Sequence, residues 1–307
     1  MKELMAAAGI SPEKCTSEDM AFMLAPMINA AGRLASPMIA FELFDAPTRE
    51  SAVARAKELQ VLNEERKRLQ ERTLDEARQL AGAIPEAQGL LLYSPDWHAG
   101  IVGIIAGHLA EKLRMPSFCF CQTGKRIVGS ARSIPGVNLK EVMDSCGDLF
   151  VRYGGHEQAA GGELKPEALP EAGQRFNEAV GRYLKTHNVE IGVVDYDIQI
   201  DSAMARRLDG NFCRRLEALE PFGQGNERPL FRMDGLKCEN VYEWRSGKGG
   251  FVKFADLDMP CHASVPGIKE KLSHRRVDVL FTIGRNFVAE TGDYAIKICH
   301  ARPASAS

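Results

Sequence analysis

The stretch GLLLYSPDWHAGIVGIIAGHLAEKLRMPSFCFCQTGKRIVGSARS, Gly89–Ser133, decides the class of fold. Leu90–Tyr93 is a short apolar run closed by Ser-Pro-Asp, the pattern of a buried strand. Gly100–Leu113 is long enough and apolar enough for a packed helix, and Ser117–Gln122 and Arg126–Arg132 follow as two further strands around a Thr-Gly turn. Strand, helix, strand, turn, strand predicts an α/β domain.

Working outward toward the C-terminus, NLKEVMDSC (138–146) predicts a helix, and LPEAGQRFNEAVGRYLKTH (169–187) an amphipathic one that closes the domain. Between them lies RYGGHEQAAGG, Arg152–Gly162. Glycine costs backbone entropy, so four glycines here must serve close approach or special dihedrals. The spacing from His156 to Ala159 and Ala160 matches one helical turn. It predicts a helix start at His156 whose free N–H groups can receive a phosphate. A glycine-rich turn with a structural histidine fits the same residues.

Toward the N-terminus, Thr48–Ala81 contains no Pro or Gly, which predicts one long helix. Its apolar stripe (Leu59, Leu62, Leu69, Ala77, Leu80) is thin, and NEERKRLQER, 63–72, is charged nearly all round. Such a helix bridges two bodies, with its charges on a solvated face. Earlier still, Thr16 or Ser17 caps a helix, and Asn29, Gly32 and Arg33 form a tight small-residue turn before another. Beyond Val189 the texture changes to short strands separated by Gly, Pro and Asp, interrupted by one helix, AMARRLDGNFCRRLEAL (203–219). Five or so such strands suit an oligonucleotide-binding β-barrel.

The chain has 307 residues, enough for two domains, with 45% hydrophobic and 26% charged residues and a formal net charge of −2. That charge gives no global attraction to nucleic acid, so binding must come from local patches. No apolar run reaches the length of a membrane helix, and MKELMAAAGISPEKC lacks a signal core. The eight cysteines are scattered, with no zinc or disulfide spacing, which fits reduced thiols and a cytoplasmic location.

No nucleophile elbow, P-loop or metal-ligand cluster is visible, so no catalytic or metal-binding residue is assigned. Groups suited to holding a phosphodiester chain occur instead. Trp97, His98 and Gly100 lie where a strand meets a helix, a common ligand position in α/β sheets. Ser130, Arg132 and Ser133 sit beside glycines, and Arg132 can grip a phosphate with two donors. Arg33 and His156 complete this set. EPFGQGNERPLF (220–231) predicts a structural corner entering a strand. In YEWRSGKGGFVKF (242–254) the aromatics Tyr242, Trp244, Phe251 and Phe254 interleave with Arg245, Lys248 and Lys253. Aromatics with cations on a barrel hairpin are what single-strand binding uses.

NAAGRL, DWHAGIVGIIA, GSARSIPGVNL, GGHEQAAGG and EPFGQGNERPLF together resemble motifs of the RecJ family of single-stranded-DNA-specific exonucleases, in the DHH phosphoesterase superfamily. The resemblance spans about Ser11 to Arg302. It implies a connecting segment (1–46), a long connecting helix (47–83), a DHH-associated α/β domain (84–188) and an oligonucleotide-binding barrel (189–307). It implies that Gly154, Gly155 and His156 hold nucleic acid near its reacting phosphate, with Ser130, Arg132 and Ser133 lining the groove, Arg33 approaching the scissile end and Asn29 among the nucleic-acid-binding residues. Family members often carry a basic residue where this chain has Met27. The resemblance also implies a parent enzyme that hydrolyses DNA 5′-to-3′ in repair and recombination, with Mn or Mg held by a DHH domain absent from this sequence. Single-stranded DNA is then the partner, alongside single-strand-binding protein and repair helicases. A stand-alone nucleic-acid-binding module and a small-substrate DHH phosphodiesterase are the competing readings.

Overall fold

The computed structural model describes residues 1–84, 86–189, 195–247, 249–264, 268–272, 276–285 and 294–304. It divides into two compact units, Met1–Val193 and Val194–Ser307.

The first unit opens with α1 (Lys2–Ala7) and α2 (Ser17–Asp19), which Thr16 starts with a capping box: its hydroxyl accepts from Asp19 N–H while Asp19 accepts in return. A wide π-helical turn at Met20–Leu24 leads into α3 (Ala25–Leu34), then α4 (Met38–Phe44). Asn29, Gly32 and Arg33 therefore lie inside a helix rather than in a turn: Pro26 starts it, and the small residues Ala30, Ala31 and Gly32 continue it. Met27 is buried in the core that these helices share with Leu4, Leu43 and Leu59. It is a packing residue.

Helix α5 (Arg49–Gly82) is capped by Thr48 and Ser51 and has no residue that would break it. The mixed sheet follows: β1 (Leu90–Ser94), α6 (Ala99–Leu113), β2 (Ser117–Thr123), β3 (Arg126–Arg132), α7 (Leu139–Asp144), β4 (Phe150–Gly155), β5 (Ala159–Leu164) and α8 (Leu169–Thr186). The strand order is β1-β2-β3-β5-β4, with β1 and β2 parallel around the α6 crossover and the other neighbours antiparallel. One face packs Phe118, Phe120, Phe150 and Phe176 under α8; the other packs α6 with Trp97, Leu74 and Ala77. Burial of these rings, each worth about 2–3 kcal/mol, sets the register.

The expected helix start at His156 is not there. Gly154 pairs with Gly161, Gly155 with Ala160, and the His156 N–H donates to Ala159 O at 2.9 Å, so the motif is a β-hairpin. Glycine is a poor helix former, and cross-strand pairing decides this segment.

In the second unit β6 (Ile198–Gln199), α9 (Ser202–Ala205) and α10 (Gly210–Glu217) precede β7 (Phe231–Glu243), β8 (Gly250–Phe254), β9 (Cys261–Ala263), α11 (Ile268–Leu272), β10 (Arg276–Arg285) and β11 (Tyr294–Pro303). Pairing of β7 with both β8 and β10 closes β7-β8-β9-β11-β10 into a five-stranded barrel, with β6 added on β7. The single helix expected over 203–219 is two short helices, because Asp209 caps a new start by accepting from Phe212 N–H at 2.9 Å. The Pro/Gly loop is a structural corner: Asn226 Nδ2 donates to the carbonyls of Leu219 and Pro221.

All eight cysteines are free thiols. Burial pushes the thiols of Cys119 and Cys261 up to about 12, which keeps them protonated and unreactive. Among the described residues no helix is long and apolar enough to cross a membrane.

Candidate nucleic-acid interface

Three arginines from three elements define the first unit's charged site. Arg33 ends α3 and donates through Nη1 to the carbonyl of Gly100 in the first turn of α6, at 3.0 Å. That junction is tight, since a Cβ on Gly100 would stand 2.2 Å from Arg33 O. Arg132 ends β3 and donates through Nη1 to Ser130 Oγ (3.0 Å) and Ala131 O (2.8 Å). Arg66, in the middle of α5, is held by Asn63 Oδ1 (3.0 Å to Nε) and Gln70 Oε1 (2.6 Å to Nη1), one turn to either side.

Every one of these acceptors is neutral, and none of the three guanidiniums has a carboxylate partner among the described residues. Burial first, and then the positive charge of Arg33, lowers the pKa of both Arg66 and Arg132. They stay charged, yet they crowd like charge in a half-buried place. An anion would relieve it. Arg66 belongs to the run expected on a solvated face. Its signal in the sequence is the Asn63–Arg66–Gln70 spacing, two neutral acceptors at i−3 and i+4.

Glycines prepare the surface beside this cluster. Opposite residues of an antiparallel pair point to the same face, and Ser130 pairs with Gly161, which pairs with Gly154. Beside Ser130 that face is therefore bare at Gly161 and Gly154, where a Cβ on Gly154 would meet nothing within 4 Å, while Ala159 stands opposite Arg132 and the Arg152–Glu163 ion pair stands on the far side. Gly154, Gly161 and Gly162 help line a cavity of about 310 Å³ with Val128, Arg152, Tyr153 and Glu163. Gly162, at the cavity's edge, and Gly155 also serve packing. A Cβ on Gly162 would come 3.2 Å from the Phe150 ring, and one on Gly155 2.4 Å from Ala159 O.

Several expected contacts resolve differently. Trp97 is only 4% exposed and its indole N–H donates to Glu76 Oε2 on α5 at 3.0 Å, so it braces the core and offers no stacking face. The Ser133 hydroxyl donates to Val137 O at 2.6 Å and stabilises its own turn. His98 is exposed but caps α6, its Nδ1 accepting from Gly100 N–H at 3.1 Å. His156 is exposed at the tip of the β4–β5 hairpin, and Asn29 is exposed one turn before Arg33.

On the barrel, the outward positions of β7, β8 and β9 line up as Tyr242, Phe251 and His262, and Lys297 on β11 pairs with His262. Tyr242 is 61% exposed. Trp244 stands edge-on to Phe251, ring centres 6.0 Å apart, and its indole N–H is buried with no acceptor among the described residues. Arg245 is exposed and Lys253 pairs with Glu239 at 3.1 Å, while Lys248 lies outside the described residues. Phe254 is a core residue, 2% exposed, because strand alternation turns it inward. His262 was not singled out in the sequence, although the same alternation in Cys261–Ala263 turns it outward.

A mixed-sheet α/β domain followed along the chain by a closed five-stranded barrel is the architecture of a DHH-associated domain with an oligonucleotide-binding fold. The DHHA1 domain family matches residues 86–182 and the RecJ OB domain family residues 196–300. The single-stranded-DNA-specific exonuclease RecJ of Salmonella typhimurium is 30% identical over 241 residues, which is 75% of this chain and 41% of that protein. RecJ of Thermus thermophilus is 31% identical over 267 residues, 81% of this chain and 37% of that protein. The solved structure of T. thermophilus RecJ in complex with Mn2+ superposes with a TM-score of 0.78 at 28% identity, covering 99% of this chain and 44% of that one. This chain belongs to the RecJ family. It spans about two fifths of the length of the relatives it matches.

Relatives have been crystallised with Mg2+ or Mn2+. The residues here do not fit such an ion: among those described, no group of three or more His, Cys, Asp or Glu is placed to hold a metal. Guanidiniums occupy the charged site, and they repel a cation.

Proposed function

We propose that this chain is the strand-holding part of a RecJ-type 5′-to-3′ exonuclease of the cytoplasm, binding single-stranded DNA without cleaving it by itself. The observation that carries the reading is the trio Arg33, Arg66 and Arg132, held only by neutral acceptors on the unit whose sheet carries no side chain at Gly154 and Gly161. Phosphates supply the missing negative charge, and bidentate guanidinium contacts fix their position. Gly154 and Gly161 let the strand's backbone approach the sheet. Tyr242, Trp244 and Phe251, with Arg245 and Lys253, suit stacking of unpaired bases, each worth about 1–3 kcal/mol. The Mn or Mg that hydrolysis requires is held by residues other than those of this chain. Single-strand-binding protein and repair helicases are the family's partners in this reading.

Fluorescence anisotropy with a short labelled oligonucleotide tests the proposal. Single strands should bind better than duplex, and Arg132→Ala should weaken binding by roughly 10- to 100-fold, the value of a charge-assisted hydrogen bond. Incubation of the same strand with Mn2+ should leave it intact. Equal affinity for Arg132→Ala and the unaltered chain would remove the phosphate site.

A further inference from the structure

Helices α5 and α6 are joined by a polar pair that strand binding leaves unused. Arg78, in the last turns of α5, donates through Nη2 to His108 Nε2 on α6 at 3.2 Å. A guanidinium has only donors, so this contact requires a neutral imidazole with its proton on Nδ1. His108 is half-buried and Arg78 exposed. The charges around the ring are otherwise balanced: on α5 Asp75 lies 3.5 Å from Arg78, and on α6 Lys112 lies 3.7 Å from Glu111. On the sheet side, Arg132 of β3 lies against α6 at Gly103 and Gly107. Among the described residues no carboxylate bonds to His108. A proton on Nε2 therefore replaces the hydrogen bond with two cations facing each other.

The two halves of α5 have different partners. Ala56 and Leu59 pack with Leu4, Met27 and Leu43 of the N-terminal helices. Leu74 and Ala77 pack with Trp97, Ile101 and Ile105 at α6. The Arg78–His108 contact closes this second half, and Arg66 stands between the two. Loosening the second half alone widens the gap between Arg66 on α5 and Arg132 beneath α6.

We propose that Arg78 and His108 form an acid-sensitive latch, which holds α5 on α6 while the imidazole is neutral and releases it on protonation, parting Arg66 from Arg132. The closed form disfavours the proton, through burial first and then the charge of Arg78, and this holds the His108 pKa below the ordinary 6.5. Opening therefore increases as pH falls, with its midpoint below pH 6.5. The latch stands independently of strand binding; its effect on affinity rests on the strand-holding role of the arginines.

In a Trp244→Phe background Trp97 is the one remaining tryptophan. It is 4% exposed, packs with α6 and donates to Glu76 on α5, so it reports the gap between the helices. Acrylamide, a neutral quencher, measures its exposure in the full chain. From about pH 7.5 to about pH 5 the quenching constant should rise at least about twofold, reversibly and with helix content by circular dichroism unchanged. His108→Gln keeps an acceptor for Arg78 but takes up no proton, and Arg78→Met removes the opposing charge. Both variants should hold the constant flat. Oligonucleotide affinity should fall over the same pH range in the unaltered chain and stay level in His108→Gln. A constant that does not rise, or that rises equally in the two variants, overturns the latch. A rise with unchanged affinity, for a strand whose binding Arg132→Ala weakens, overturns the parting of Arg66 from Arg132. Where Arg132→Ala itself has no effect, the strand-holding role has failed, and quenching alone decides the latch.

Discussion

Arg66 lies in a run that reads as solvated charge, yet it is half-buried and held by neutral partners. Its guanidinium is fixed by Asn63 and Gln70 and depressed by burial and by Arg33. Arg66→Met keeps the stem and removes the charge, so two effects should diverge. Strand affinity should fall about 10- to 100-fold, while thermal stability stays level or rises because like-charge crowding is relieved. A stability loss with unchanged affinity would make Arg66 a structural residue. His262 carries the second residue-scale expectation. Burial and then the charge of Lys297 hold its pKa below the ordinary 6.5. As pH falls, the unfolded chain therefore takes up that proton first. The stabilising contribution is complete above about pH 6.5 and declines as pH drops through that value. His108, in the first unit, shifts in the same direction, so the units must be followed separately. The chain has two tryptophans, and a Trp97→Phe background leaves Trp244 as a reporter of the barrel. In that background, denaturant midpoints should fall between pH 7 and pH 5, and His262→Gln should flatten the fall.

At the scale of elements, RYGGHEQAAGG explains what was legible and what was not. Four glycines announced close approach, which holds at Gly155 and Gly162, but one-turn spacing suggested a helix where a hairpin stands. Local spacing cannot show that Gly155 will meet Ala160 or that Ser130 will lie across from Gly161; pairing partners decide that. Runs whose pattern is self-contained were legible: the α6 crossover, the uninterrupted α5 and the alternating barrel strands. Trp97 was misplaced for the same reason as the hairpin, since its partner Glu76 lies on a different element. The glycines now make a paired prediction. Gly155→Ala drives a Cβ to 2.4 Å from Ala159 O and should cost about 1–3 kcal/mol, seen as a lower melting temperature. Gly154→Ala adds a methyl to open space on the bare face. It should melt like the unaltered protein and bind the oligonucleotide more weakly. If both variants lose stability alone, the bare face has no ligand.

For the whole molecule, a formal charge of −2 means that long-range attraction cannot gather DNA. In the proposed reading, affinity comes from a few guanidiniums against a neutral to slightly repulsive background. This fixes the form of the salt dependence. Each phosphate neutralised on a single strand contributes a slope of roughly −0.7 in log K against log salt. Three arginine–phosphate contacts in the first unit should therefore give a slope of roughly −2 for a strand short enough to occupy that site alone. Arg33→Met, Arg66→Met and Arg132→Met should each make the slope shallower by roughly 0.7, and the triple variant should bring it close to zero. Tyr242→Ala, which removes a ring and no charge, should lower affinity for longer strands at every salt concentration and leave the slope as it was. Titrations at several KCl concentrations distinguish the two kinds of contact. A slope that keeps its full value in the triple variant would place the phosphate contacts on other residues, and the arginine cluster would lose its assigned role.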